Sequence, residues 1–125
     1  MLRIAQTALV LLLIAFAAAM PARAELRLVM FEEQGCVWCE RWKSEVGDAY
    51  HLTEEGRIAP LQIIDIADPL PVGLSLKQNA YYTPTFVLVD DGNELSRIEG
   101  YPGEDFFWGL LDRMLKNAQA GKVKS

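Results

Sequence analysis

The stretch Leu26-Arg27-Leu28-Val29-Met30-Phe31, then Glu32-Glu33-Gln34-Gly35, then Cys36-Val37-Trp38-Cys39 decides the fold. Its first six residues form an apolar, β-favouring run, and the polar tetrapeptide ending in glycine breaks it. From Cys36 onward, Cys39, Trp42 and Val46 recur at spacings of three and four. That spacing draws one apolar stripe along a helix expected to end near Gly47. Glu40, Arg41, Lys43 and Glu45 take the opposite side. The sequence thus predicts a strand, a short loop and a helix, with a dithiol where the loop hands over to the helix.

Upstream, residues 1–24 read as a secretory signal peptide: Arg3, an apolar stretch over 8–19, and Ala22-Arg23-Ala24 before the expected cut. The apolar stretch is shorter than the roughly 18 residues needed to span a bilayer, so no stable membrane insertion is expected after cleavage. Residues 25–125 then form one small domain with room for one hydrophobic core. Cleavage removes Arg3 and Arg23 but none of the 17 acidic residues, leaving ten basic residues and a formal charge of −7. Such a surface has no attraction for nucleic acid or anionic lipid.

Downstream, Thr53 is placed to cap a short turn through Glu54 and Glu55, with Gly56 ending it. Residues 61–66 read as a second strand, apolar enough at Ile63, Ile64 and Ile66 to be buried on both faces, as in parallel pairing. A short helix is expected over 72–79, weakened by Gly73. Residues 85–89 give a third strand, Asp91-Gly92 a tight turn, and 95–99 a fourth strand that is its hairpin partner. Glu104 and Asp105 suit a helix N-terminus, Phe107, Leu110, Leu111 and Met114 mark its buried stripe, and 117–125 reads as a frayed tail. The order β-α-β-α-β-β-α describes an α/β fold, a mixed four-stranded sheet flanked by helices on both sides.

A Cys-x-x-Cys bridge closes almost no loop, so it restrains the unfolded chain little, and its use is redox cycling or metal binding. A nucleophilic cysteine must be a thiolate, which the N–H groups and positive dipole end of a helix favour. Cys36 holds that position. Cys39 lies one turn further in, where its sulfur can attack a mixed disulfide formed at Cys36. A structural zinc site needs about four ligands, and the other soft donors here are His51 and methionines. A copper or zinc module built on Cys36 and Cys39, with Met30, is the alternative; a third reading is a non-catalytic fold that binds partners through the Pro84 loop. A second signal is Thr83-Pro84-Thr85, because a proline opening a strand cannot donate to the ladder. Trp38 falls one position off the apolar stripe, which exposes it beside the reactive sulfur as a contact for partners.

With these pieces in place, residues 25–115 resemble the thioredoxin family. The matching motifs are the strand before Cys36-Val37-Trp38-Cys39, then Thr83-Pro84-Thr85-Phe86, Asp91-Gly92, and Glu99-Gly100 before the last helix. The resemblance implies that Pro84 is cis, packs on the disulfide and helps keep metal out. It implies that Thr83 offers its backbone to an extended client, with Trp38, Pro84 and Gly100 completing the binding surface. It also implies a redox-active Cys36–Cys39 disulfide with no separate cofactor or metal.

Gly35 through Trp42, and Arg97-Ile98-Glu99-Gly100-Tyr101-Pro102-Gly103, are similar to the small periplasmic thioredoxins of bacterial sulfur-oxidation gene clusters. That likeness implies a monomeric periplasmic reductant of protein disulfides, fed by a membrane thiol donor. Its clients would be sulfur-oxidation proteins, with cytochrome c maturation as the alternative role.

The chain departs from the family pattern at several points. Gly35 stands where Trp is usual, Val37-Trp38 replaces Gly-Pro, and Met30 replaces a buried Asp that accepts the proton of the second cysteine. Glu32 or Glu33 can take over that proton transfer, directly or through one water, unless both are solvated loop charges. Val37-Trp38 also lacks the His with which strong oxidants stabilise their thiolate. Together with Glu32, Glu33 and Glu40 nearby, this makes the dithiol a reductant.

Overall fold

The computed structural model describes residues 25–123; the expected signal segment 1–24 lies outside the described residues. Strand β1 (Leu26–Glu32) runs into the helix α1 (Val37–Trp42), which continues without a break through a π turn (Lys43–Gly47) into α2 (Asp48–Tyr50). A short α3 (Glu54–Ile58), strands β2 (Leu61–Asp65), β3 (Thr85–Asp90) and β4 (Asn93–Glu99), and the long α4 (Glu104–Val123) follow. The four strands form one mixed sheet in the order β2-β1-β3-β4. β1 pairs parallel with β2 and antiparallel with β3, and β3 pairs antiparallel with β4. Asp91 and Gly92, at φ 49° and 81°, make the tight hairpin turn that two left-handed residues allow.

Alternation along β1 sets the two layers. Leu28 and Met30 join Phe86, Leu88 and Ile98 on one face, where Trp42, Val46, Tyr50, Phe107 and Leu111 cover them. Val29, Phe31, Val87 and Val89 face the other way and are covered by Leu74, Leu76 and Ala80. The rings of Phe86 and Phe107 lie 4.9 and 5.6 Å from that of Trp42. Burying each such side chain stabilises the fold by about 1.5–3 kcal/mol, so this aromatic knot anchors the cysteine-bearing helix to the sheet.

Five local expectations are corrected. The helix does not end at Gly47: the residue is helical, at φ −58° and ψ −42°. A Cβ there would lie 2.8 Å from the Trp42 ring, so its lack of a side chain makes room for tryptophan rather than for a turn. Residues 72–79 form no helix but an irregular connection, tied to the hairpin by the Ser75–Asn93 bridge. β2 is an edge strand, so Ile64 is buried while Ile63 is 45% exposed, against the expectation of burial on both faces. The last helix runs on to Val123, taking in most of the segment expected to fray. Gly56 likewise does not end the Thr53-capped turn but is buried inside α3, its N–H donating to Thr53 Oγ1 at 3.0 Å.

Candidate active site

The last residues of β1 and the proline that opens β3 lie at the same end of the sheet, because Phe31 pairs with Thr85. The β1–α1 loop starts there. Gly35, at φ 82°, turns the chain through a conformation open to glycine and delivers Cys36 to the helix N-cap. Cys36 and Cys39 form a disulfide with Cα atoms 5.2 Å apart. The Cys36 Sγ accepts a hydrogen bond from the Cys39 backbone N–H at 3.1 Å. That bond places the sulfur where helix-end N–H groups favour negative charge.

The two sulfurs differ in access. Cys39 is fully buried within the helix-side core, whereas Cys36 is only half-buried at its edge. Val37 and Trp38 between them are exposed. The Arg41 guanidinium lies 5.6 Å from the centre of the Trp38 ring.

The Thr83–Pro84 peptide is cis and Pro84 is buried. Two hydrogen bonds fix this bend: Thr83 Oγ1 donates to Glu33 Oε1 at 2.6 Å, and the Gly100 N–H donates to the Pro84 carbonyl at 2.7 Å. Gly100 therefore holds the bend from behind, through its backbone.

Met30 is fully buried opposite Phe86, so no carboxylate occupies that core position. The two candidate acids diverge. Glu32 stands two residues after Met30 on the helix side of β1 and pairs with Lys43, one helical turn beyond Cys39. Lys43 also lies 3.4 Å from Glu40. Its ammonium is held above the ordinary lysine range, chiefly by the hydrogen bond to Glu32. Glu33 is turned to Thr83 instead. His51 is exposed, and among the described residues no group of three His, Cys, Asp or Glu side chains is arranged to hold a metal ion.

Sequence reasoning missed Lys43, Arg41, Glu45 and Tyr101. Arg41 Nε donates to Glu45 Oε1 at 2.8 Å, a pairing that the i,i+4 spacing signals. Tyr101 O–H donates to Glu45 Oε2 at 2.5 Å across 56 positions, which no local pattern announces.

Residues 15–115 match the family model of the thioredoxin-like domain. Among solved structures the chain is similar to the periplasmic thioredoxin SoxS from Paracoccus pantotrophus in its reduced form. That likeness has 53% identity and a TM-score of 0.74, over 75% of this chain and 99% of that one. It also matches Fasciola hepatica thioredoxin at 22% identity and a TM-score of 0.49, over 72% and 81% of the two chains; this adds nothing to the first likeness. No curated protein matches the sequence. No helix among the described residues is long and apolar enough to cross a membrane. A capped dithiol pair at the head of a helix, on this sheet and with these matches, means that the chain belongs to the thioredoxin-like family and is a thiol:disulfide oxidoreductase.

Proposed function

We propose that the protein is a periplasmic reductant of disulfides or mixed disulfides in partner proteins, with Cys36 as attacker and Cys39 as resolver. The observation that carries this is the unequal access of the two sulfurs: a client can meet Cys36 at the helix end, while Cys39 is fully buried. The Cys36 thiolate attacks one client sulfur, forming a mixed disulfide and releasing the other as a thiolate. Cys39, losing its proton, then attacks Cys36 Sγ; the client leaves with both sulfurs reduced, and the Cys36–Cys39 disulfide carries away the oxidation. A membrane thiol donor returns the two electrons.

The client lies extended along the Thr83–Pro84 bend, pairing with the Thr83 backbone and resting on Trp38. Reduction rather than oxidation is favoured by Val37-Trp38, which supplies no positive charge to a Cys36 thiolate, and by the carboxylates of Glu33 and Glu40 close by. Similarity to a periplasmic thioredoxin, together with the motifs around Cys36 and Gly100, supports sulfur-oxidation proteins as clients.

The test is Cys39→Ala in the exported protein, which should accumulate mixed disulfides that survive alkylation, run as adducts and release the client with dithiothreitol. Adducts that persist in Cys36→Ala but vanish in Cys39→Ala would reverse the assignment of roles. An equilibrium potential against glutathione in the range of strong periplasmic oxidants would overturn the direction of electron flow.

A further inference from the structure

Four side chains from two distant parts of the sequence form one line that ends on the ring between the cysteines. Trp38 is 53% exposed, so little besides its neighbours on the helix restrains it. Arg41 stands over its ring at 5.6 Å, and that guanidinium is itself an exposed group on a flexible stem. Glu45 Oε1 holds Arg41 Nε at 2.8 Å, and Glu45 Oε2 accepts from Tyr101 O–H at 2.5 Å. Tyr101 is the rigid end of the line. It is buried, its ring is edge-on to Phe107 at 6.3 Å, and it directly follows Gly100, whose N–H holds Pro84.

We infer that Tyr101 is a positioning residue for Trp38: acting through Glu45 and Arg41, it keeps the indole fixed as a plate for the client segment that enters at Cys36. A side chain ordered in advance loses less freedom when a partner docks, so the gain falls on client affinity rather than on sulfur exchange. The guanidinium attracts the ring face, and a carboxylate bonded on both oxygens keeps the guanidinium from wandering. The charges stay as drawn over the working range. The hydrogen bonds from Tyr101 and Arg41 hold the Glu45 carboxyl below the usual carboxylate range, and burial, then the bond to Glu45, pushes the Tyr101 hydroxyl up, so it remains a donor.

This inference rests on the redox reading above, and a coupling experiment separates the two. Insulin reduction with dithiothreitol as donor is measured for the intact protein, Tyr101→Phe, Trp38→Ala and the double variant. Tyr101→Phe should raise KM about threefold, the size of an exposed cation–ring contact, with kcat unchanged. In the Trp38→Ala background it should change nothing further. Glu45→Gln should behave as Tyr101→Phe does, and Arg41→Lys should recover part of the KM that Arg41→Met loses. If Tyr101→Phe raises KM equally with and without Trp38, the hydroxyl acts only on its own loop and the proposal is overturned, as it is if KM does not move. A parent protein unable to reduce insulin at all would sink the redox reading itself.

Discussion

The hydroxyl of Thr83 donates to the carboxylate of Glu33 at 2.6 Å, joining two loops fifty positions apart. One loop carries the proline bend and the other leads into Cys36. Glu33 is thereby committed to a fastening, which leaves Glu32 to face the helix with Lys43 one turn beyond Cys39.

From this division of labour, Glu32→Gln should shift the limb of the pH profile of disulfide reduction that belongs to Cys39, and Glu33→Gln should leave that limb in place while lowering the rate. Glutamine still accepts from Thr83 but without the charge that strengthens the bond, a loss of about 1 kcal/mol, or roughly fivefold. Rate profiles of both variants between pH 5 and pH 9 test it; two unshifted profiles would remove both acids as proton acceptors.

Access to the sulfurs predicts the chemistry of labelling. When the reduced native protein meets substoichiometric iodoacetamide, Cys36 should be carboxamidomethylated and Cys39 spared, since Cys39 exposes no surface. Peptide mass mapping reads the result directly, and a modified Cys39 beside an intact Cys36 would contradict the orientation.

Gly56→Ala should destabilise, against the ordinary gain of about 1 kcal/mol for alanine over glycine in a helix. A Cβ at this buried position would lie 2.0 Å from the Tyr50 carbonyl oxygen, a backbone atom that cannot swing aside. Overpacking of this kind costs about 2–3 kcal/mol, so thermal melting should fall by about 10 °C.

Glu94→Gln should cost about 2 kcal/mol at neutral pH, the worth of charged hydrogen bonds at a buried carboxylate. Glu94 accepts from Arg97 at 2.6 and 2.9 Å and from the Lys77 N–H at 3.1 Å. Arg97, the larger cause, and the Lys77 N–H hold its carboxyl below the ordinary 4.5. A folded pKa below the unfolded one means the stabilisation is complete above pH 4.5 and is lost as pH falls through the folded value. Denaturation curves of the two proteins should therefore converge in acid; a constant gap would show that charge is not the cause.

What could be read from the sequence was whatever has a short period or a fixed spacing. The strand before Cys36, the stripe of Cys39, Trp42 and Val46, and the Asp91-Gly92 hairpin are all of this kind, and together with Thr83-Pro84 they sufficed for the sheet and the dithiol. Glycine misled because its two uses look alike in one dimension. Gly47 and Gly56 read as helix stops, yet each is a close approach, to the Trp42 ring and the Tyr50 carbonyl. Ile63 misled because an edge position depends on strand order, which composition does not encode. The Glu33–Thr83 and Glu45–Tyr101 bonds join residues 50 and 56 apart, beyond any local pattern.

One face of the sheet is covered by a loop, where the sequence had suggested a helix, and this loop ends in the exposed pair Tyr81-Tyr82 just before the bend. A loop tolerates changes in length at a cost of only about 0.6 kcal/mol per doubling, whereas the aromatic knot opposite tolerates almost none. Divergence among orthologues should therefore collect on the loop side. Recognition can drift there from one client to another while the electron-transfer half of the molecule stays as it is.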